Sequence, residues 1–342
     1  MTRITRERPS YYPRFQCTGN TTCIDNCCHA WVLPLDKKTA DYYMNYKGEF
    51  GDTMRSNIFK DEKGDWFIKI GDDGRCKFLT EDKLCTVRLN VGESAQAKIC
   101  DIYPRERDIM AGHYRQDRLL LACSEVARLF YNDAGERLEF IKTVEEIEGN
   151  EPSPELRERT DMLIAFRDGI VEGLQAGAFD SSLFEVYESA ETFEGIFEDA
   201  YYFEGHEPTE TIINKTRQLV READPLRKQF YSQIPEARKW MRKTAAYFAH
   251  RQLLDTIQDG SIDGPLISIF RSTHILELIC LAVFKDKGDF TVDDMAFCAY
   301  TFGLTFEISM HNVNLMKEVR NTAKDEYYPD NENSEMRPYL YP

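Results

Sequence analysis

Residues 17–29 read Cys17-Thr-Gly-Asn-Thr-Thr-Cys23-Ile-Asp-Asn-Cys27-Cys28-His29, and this short segment organises the N-terminal part of the chain. Gly, Asn, Thr and Asp separate its four cysteines, and these residues favour turns over helix or strand. A turn-rich loop can point several thiolates inward while its backbone N–H groups hydrogen-bond to sulfur. Metal–thiolate sites need both properties.

Four further cysteines lie within the first 123 residues. Two of them bracket the segment Cys76-Lys-Phe-Leu-Thr-Glu-Asp-Lys-Leu-Cys85, in which a polar turn at Thr80–Lys83 separates two short apolar pieces. This pattern predicts a hairpin or knuckle that returns Cys85 to the neighbourhood of Cys76. The other two are Cys100 and Cys123.

The N-terminal cysteines have three possible roles, as inert packing residues, disulfides or metal ligands. Inert packing suits Cys280 and Cys298, which lie on apolar helical stretches, but it suits the adjacent pair Cys27-Cys28 in its polar loop poorly. Disulfides need an oxidising compartment, whereas the polar N-terminus lacks a secretory signal, so we expect a cytoplasmic protein. We therefore predict eight candidate metal ligands, namely Cys17, Cys23, Cys27, Cys28, Cys76, Cys85, Cys100 and Cys123.

The cysteine spacing favours an iron–sulfur cluster over zinc. Structural zinc usually takes closely spaced pairs such as C-x2-C, and none occurs here. The radical-SAM spacing C-x3-C-x2-C is also absent, because Ala30 stands at its third position. Dispersed cysteines fit a cluster assembled from several loops. Zinc stays open as an alternative, since thiolate-rich sites admit both metals.

Four blocks of sequence carry a resemblance to a known family. They are Cys17…Cys23…Cys27-Cys28-His-Ala-Trp31, Cys76-Lys-Phe-Leu…Leu-Cys85, Cys100-Asp-Ile-Tyr-Pro-Arg105 and Cys123-Ser-Glu-Val-Ala-Arg128. In order and spacing they resemble the flagellin lysine-N-methylase family over about residues 10–130, and the first three also resemble small zinc- or iron-chelating domains. The resemblance implies a [4Fe–4S] cluster and methylation of lysine ε-amino groups on flagellin. S-adenosylmethionine is the expected methyl donor.

The charge balance limits the classes of partner. The 342 residues include 43 Lys and Arg against 59 Asp and Glu, a formal charge of −16. This argues against nucleic-acid binding, which needs a positive field, and suits a partner that presents lysines. Solubility alone also explains an acidic balance. We expect no membrane span, because the longest apolar candidate, Ile275–Phe284, contains Glu277.

The sequence predicts a mainly α protein in two parts. A cysteine-rich α+β metal-binding module would occupy residues 1–148, and a helical domain residues 149–342, with the boundary in a Pro- and Gly-containing loop. In the module we predict a helix over 36–58 capped by Asp36, a strand over 64–71 and a hairpin over 106–122.

Helical periodicity dominates beyond residue 150. Apolar residues repeat at helical intervals over 156–174, 196–203, 240–253 and 267–281. A last long helix is predicted from a capping-box-like start at Thr291–Asp294 to about Arg320. The acidic tail over 325–342 is expected to be loose or to become ordered on contact.

The sequence does not identify catalytic or S-adenosylmethionine-binding residues. No Gly-rich loop follows a strand, which argues against a Rossmann-type methyltransferase, and no G-x-S-x-G motif is present. Glu307 and His311 share a helix face as a conceivable lysine-docking pair, although a structural histidine is the better expectation. His29 is a further ligand or a loop histidine, and Arg105 and Arg128 either neutralise a cluster or pair with carboxylates.

Three functions are compatible with these features. The first is a protein-lysine N-methyltransferase acting on flagellin, which depends on the resemblance. The alternative is a non-catalytic metal-binding protein-interaction module, with zinc or an iron–sulfur centre that only staples a surface. The third, an iron–sulfur redox protein, has no sequence support for a second cofactor.

Overall fold

Helices make up most of the structure, and two small sheets lie in its N-terminal half. The computed structural model describes residues 1–18, 23, 27–29, 33–110, 113–133, 136–177, 189–202, 207–259 and 261–318. The predicted tail over 325–342 lies outside the described residues. The helices are α1 Lys37–Asn45, α2 Gly51–Ser56, α3 Thr86–Asn90, α4 Lys98–Ile102, α5 Ser124–Arg128, α6 Pro154–Ala176, α7 Ala190–Asp199, α8 Glu207–Leu219, α9 Ala223–Gln233, α10 Ala237–Gln252, α11 Thr256–Asp259, α12 Asp263–Lys287, α13 Val292–Phe306 and α14 Met310–Lys317.

A four-stranded mixed sheet ties the N-terminus to the middle of the chain. Its strands are β1 Thr2–Pro9, β5 Arg105–Met110, β6 Tyr114–Leu119 and β7 Phe140–Ile147, in the order β5-β6-β1-β7. Strand β1 runs parallel to β6 and antiparallel to β7. The pair β5–β6 confirms the predicted hairpin. The sequence did not reveal β1, because the strand shows no apolar alternation: Ile4 is buried on one face and the charged Glu7 on the other.

A three-stranded antiparallel sheet lies within the cysteine-rich segment. Its strands are β2 Leu33–Leu35, β3 Ile58–Lys60 and β4 Trp66–Ile68, in the order β2-β4-β3. Strand β4 confirms the strand predicted over 64–71, and Gly64, at φ 91°, turns the chain into it.

The predicted helix over 36–58 is only partly correct. Its start is confirmed, since the Thr39 N–H donates to the Asp36 carboxylate at 3.1 Å. The helix stops at Asn45, however, and the rest of the stretch forms α2 and β3. Gly48 and Gly51 lie at this break, where their low helix propensity disfavours a continuous helix.

Helix α12 is the centre of the helical part, packed against α8, α9, α10, α13 and α14. By length and composition it could cross a membrane, yet 83% of its most apolar window is buried inside the protein. Its one carboxylate in the apolar stretch, Glu277, is paired internally. The Tyr231 hydroxyl donates to it at 2.6 Å and the Arg227 Nε at 2.8 Å. The apolar run is therefore explained by core packing.

The predicted last helix is divided in two. Its capping box at Thr291 and Asp294 is confirmed, but α13 ends at Phe306 and α14 begins at Met310. Asn312 explains the break, because its side chain accepts from the Tyr201 N–H at 2.7 Å and donates to the Thr305 carbonyl at 2.7 Å. These bonds to other parts of the chain compete with a continuous helix.

Buried apolar side chains form two principal cores among the described residues. The larger includes side chains from 11–15, from 119–138 and from the helices up to Met316. The smaller is made of residues between Leu33 and Ala97. Cys28, Cys85 and Cys100 pack against the smaller core, whereas Cys123 packs against the larger. The domain division at residue 148 stays a prediction.

Candidate metal centre

Six of the eight candidate ligands line one cavity of about 40 Å³ beside the smaller core. They are Cys17, Cys27, Cys28, Cys76, Cys85 and Cys100. A single water needs roughly 10–15 Å³, so this cavity has room for a larger guest. Tyr43, Arg88 and Gln96 complete the polar lining, together with apolar side chains. These three residues carry no local sequence signal for such a site, because only folding brings them to the cavity.

The segment from Cys76 to Cys85 folds into the predicted knuckle. The Thr80 N–H donates to the Leu84 carbonyl at 2.9 Å, and the Lys83 N–H donates back to Thr80 at 3.0 Å. Lys83 adopts a left-handed conformation, with φ 61°, to close this turn. Both cysteines therefore face the same cavity, which confirms the interpretation of the polar turn.

Backbone N–H groups already donate to several of the sulfurs. Cys85 immediately precedes α3, and the N–H groups of Val87 and Arg88 donate to its sulfur. The Phe78 N–H does the same for Cys76, and N–H groups of α5 do so for Cys123. Such bonds stabilise thiolates and orient them toward a metal. They also partly offset the cost of burying these groups.

Cys28, Cys76, Cys85 and Cys100 act electrostatically on one another in every pairing. Burial raises the pKa of Cys76 to about 12, and the charges of Cys28 and Cys85 add to the effect. Burial likewise raises the pKa of Cys100 well above its usual range, with the charges of the other three and of Cys17 as further causes. Four thiols that resist simultaneous ionisation can all become thiolates when a cation compensates their charge.

Cys123 packs against the larger core, and its charge interactions link it to Cys17, Cys23 and Cys27. The Cys23 sulfur is 3.7 Å from the Thr18 hydroxyl. Burial raises the pKa of Cys123 to about 12, with Cys23 and Cys17 among the further causes. Cys27 is hydrogen-bonded to Cys28, which raises its pKa, and burial and the charges of Cys100 and Cys123 raise it further. The fold thus collects all eight candidates.

The sulfurs surround a space and do not converge on one point. Among the described ranges, no three His, Cys, Asp or Glu side chains are close enough to hold a single metal ion. Cys280 and Cys298 lie far along the chain in the helical core and are fully buried. The Cys280 thiol is 3.6 Å from the Met295 sulfur. Their expected role as packing residues agrees with this position.

The remaining sequence candidates have structural partners. Glu307 and His311 do not pair with each other. His311 is exposed, and its ring nitrogen lies 2.8 Å from the Asp199 carbonyl oxygen. Glu307 is buried and accepts a hydrogen bond from the Tyr247 hydroxyl at 2.9 Å. The break between α13 and α14 separates them. Arg128 pairs with Glu125 at 2.8 Å.

Two other candidates lie near the cysteines. Arg105 stacks on the Phe15 ring at 4.9 Å. His29 forms an isolated bridge with Arg75 in the chain just before Cys76.

Comparison with known proteins shows which sequences this chain is similar to. No family model and no solved structure matches the chain. The chain is 33% identical over 138 residues to the flagellar biosynthetic protein FliU of Salmonella muenchen, covering 39% of this chain and 80% of that protein. The chain belongs to the flagellin lysine-N-methylase family. This confirms the resemblance found in the four cysteine blocks.

The other relatives of this family are longer. The chain is 33% identical over 138 residues to the lysine-N-methylase of Salmonella typhimurium, covering 39% of this chain and 34% of that protein. The same identity and coverage hold for the lysine-N-methylase of Salmonella choleraesuis. The match therefore spans about a third of the length of these lysine-N-methylases.

Proposed function

We propose that this protein is a cytoplasmic protein-lysine N-methyltransferase that modifies flagellin, with S-adenosylmethionine as methyl donor and a cysteine-ligated [4Fe–4S] cluster. The family relationship carries this proposal, because relatives named lysine-N-methylase and FliU are similar to this chain at 33% identity. Six cysteines that line one cavity support the metal part independently.

The four thiols that lie on the smaller core suit a metal cluster. Cys28, Cys76, Cys85 and Cys100 supply the four thiolates that such a cluster needs. Their backbone N–H bonds would further stabilise the ionised sulfurs. Thiols that surround a cavity suit a multi-iron cluster better than one zinc ion, whose tetrahedral sulfurs sit only about 2.3 Å from the metal. A cluster held by all four thiolates would staple the surrounding loops to one another.

Methyl transfer from S-adenosylmethionine requires a neutral lysine amine. The amine nitrogen attacks the sulfonium methyl, the carbon–sulfur bond breaks, and S-adenosylhomocysteine leaves while the amine loses a proton. Positioning and proton removal supply most of the rate gain. The charge of −16 favours approach of a lysine-bearing surface. None of the described strands precedes a Gly-rich nucleotide loop, so the donor site is expected among helices or beside the cysteines.

Co-expression with flagellin tests this proposal directly. The intact mass of flagellin purified from cells that make the wild-type chain should rise in steps of one methyl group. The variant Cys100→Ser should abolish the increments, because it removes one of the four thiols on the smaller core. Cys280→Ala is the matched control, since Cys280 is fully buried but far from the cavity. Flagellin that stays unmodified with the wild-type chain and S-adenosylmethionine present would refute the proposal.

A second candidate is a non-catalytic metal-binding module that contacts a partner protein. It is favoured by one observation, namely that the match covers only 34% of the Salmonella typhimurium lysine-N-methylase. In that case the chain would hold metal and bind flagellin without changing its mass. The co-expression measurement, with metal analysis of the same preparation, separates the two candidates.

A further inference from the structure

Strand β7 forms one edge of the four-stranded sheet, and among the residues that the structure describes no strand pairs with its outer side. We propose that two copies of this chain pair through β7. The two strands run antiparallel about a two-fold axis at Val144, so that the two sheets join into one. This inference goes beyond the proposed function and depends neither on the metal nor on methyl transfer.

Strand β7 is long and regular for an edge strand. It pairs with β1 over eight consecutive residues, from Phe140 opposite Pro9 to Ile147 opposite Thr2, without a bulge. It also contains no proline. Bulges, prolines and very short strands are the usual protection of an open edge, because a regular edge pairs readily with another strand. Strand β7 has none of these three and can therefore receive a further strand.

The direction of the backbone groups shows which of them are available to a second copy. The Thr5 N–H donates to the His113 carbonyl at 2.9 Å, on the β6 side of β1. Because these groups alternate in direction along antiparallel strands, Val144, which lies opposite Thr5, directs its N–H and C=O away from β1. The same holds for Lys142 and Glu146, two residues to either side. A two-fold axis at Val144 brings these three positions into hydrogen-bonded pairs with the second copy.

The side chains of β7 are complementary to one another in this register. Lys142 lies opposite Glu146 of the second copy on one face, and Ile141 lies opposite Ile147 on the other face. Val144 lies opposite itself at the axis. Opposite charges and apolar pairs that face each other across two strands stabilise the pairing. The strand therefore has a second copy of itself as its best partner.

Neighbouring registers are less favourable. An axis one residue earlier places Ile141 opposite Glu145, and an axis one residue later places Val144 opposite Glu146. Both arrangements bring an apolar side chain against a carboxylate. In the register about Val144, pairing would instead cover two apolar side chains that are exposed in the single chain, since Val144 is 55% exposed and Ile141 is 37% exposed. Burying them favours association.

The mass of the full-length protein in solution tests this pairing. Sedimentation equilibrium of the wild type over a range of concentrations should reach twice the chain mass. Val144→Lys should raise the dissociation constant about tenfold or more, because it removes the apolar pair and places two ammonium groups opposite each other. Val144→Ile enlarges the same apolar pair and should lower the dissociation constant, a change that misfolding cannot produce. Leu89→Lys is the matched control, since Leu89 is 60% exposed but lies on α3, outside the four-stranded sheet.

Several results would overturn the pairing. A wild type that keeps the mass of one chain at every concentration would do so, as would a dimer that Val144→Lys leaves intact or that Leu89→Lys weakens equally. Masses that keep growing with concentration would indicate head-to-tail pairing of β7 with the other edge strand, β5, in place of the two-fold arrangement. Flagellin methylation is measured separately, so the failure of one proposal leaves the other intact.

Discussion

Lowering the pH from 7 to 5 should destabilise the protein through two buried histidines, His250 and His274. Burial lowers the pKa of His274 to about 3 and the pKa of His250 to about 4. The unfolded chain holds these groups near pKa 6.5. Between these values the unfolded state binds protons that the folded state excludes, so the free energy of unfolding falls as the pH falls through this window.

The structure explains why His250 stays neutral. The Glu7 carboxylate lies 2.8 Å from His250 Nε2, which donates to it, and the Gln116 amide lies 3.2 Å from Nδ1. Both ring nitrogens are thus satisfied in one neutral tautomer. His274 packs against the Phe193 ring at 4.4 Å. From the pKa differences, each histidine should contribute a loss of about 2 kcal/mol between pH 7 and pH 5, or about 4 kcal/mol together.

Urea unfolding of the wild type and His274→Gln at pH 7 and pH 5 measures this effect. The variant removes one titrating group, so its loss between the two pH values should be smaller than that of the wild type by about 2 kcal/mol. Thr273→Ser is the matched control on the same buried helix, and it should change stability equally at both pH values. An unchanged pH dependence in His274→Gln would refute the linkage assigned to this residue.

Three further predictions concern the sheet, a helix contact and the metal. Glu7→Gln should lower the free energy of unfolding in urea by about 3–5 kcal/mol, because Glu7 is buried and pairs with Arg167 at 2.8 Å; a loss below about 1 kcal/mol would contradict it. Gly303→Ala should lower the free energy of unfolding in urea by about 1–3 kcal/mol, because a Cβ there would lie 2.4 Å from the Ala122 nitrogen. Gly169→Ala has open space around it and should instead raise the free energy of unfolding by up to about 1 kcal/mol, through the higher helix propensity of alanine in α6. Removing bound metal with a chelator should lower the melting temperature of the wild type, because a ligand that binds only the folded state stabilises it; an unchanged value would show that the metal is not coupled to folding.

Several elements were predictable because their signals are local. The Asp36 cap, the capping box at Thr291 and the polar turn before Cys85 each depend on side chains that bond to backbone a few residues away. Long helices such as α6 and α12 follow from apolar periodicity, and the family relationship follows from the order and spacing of the cysteine blocks.

Other elements were not predictable because distant residues decide them. Strand β1 buries the charged Glu7, and this charge is tolerated because Arg167, His250 and Lys142 reach it from distant parts of the chain. At the end of α13 the Asn312 side-chain amide donates to the Thr305 carbonyl, while its oxygen accepts from the Tyr201 N–H. Neither set of contacts can be predicted from the neighbouring residues in the sequence.

The cysteines show the same division. The sequence by itself determined that eight thiols share one N-terminal region, that turn-forming residues separate them, and that the chain belongs with flagellin lysine-N-methylases. Only the tertiary structure decided which thiols become neighbours, because Cys28 and Cys123 rest on different hydrophobic cores. Burial by those cores also sets the thiol pKa values, and no spacing rule can supply that long-range packing.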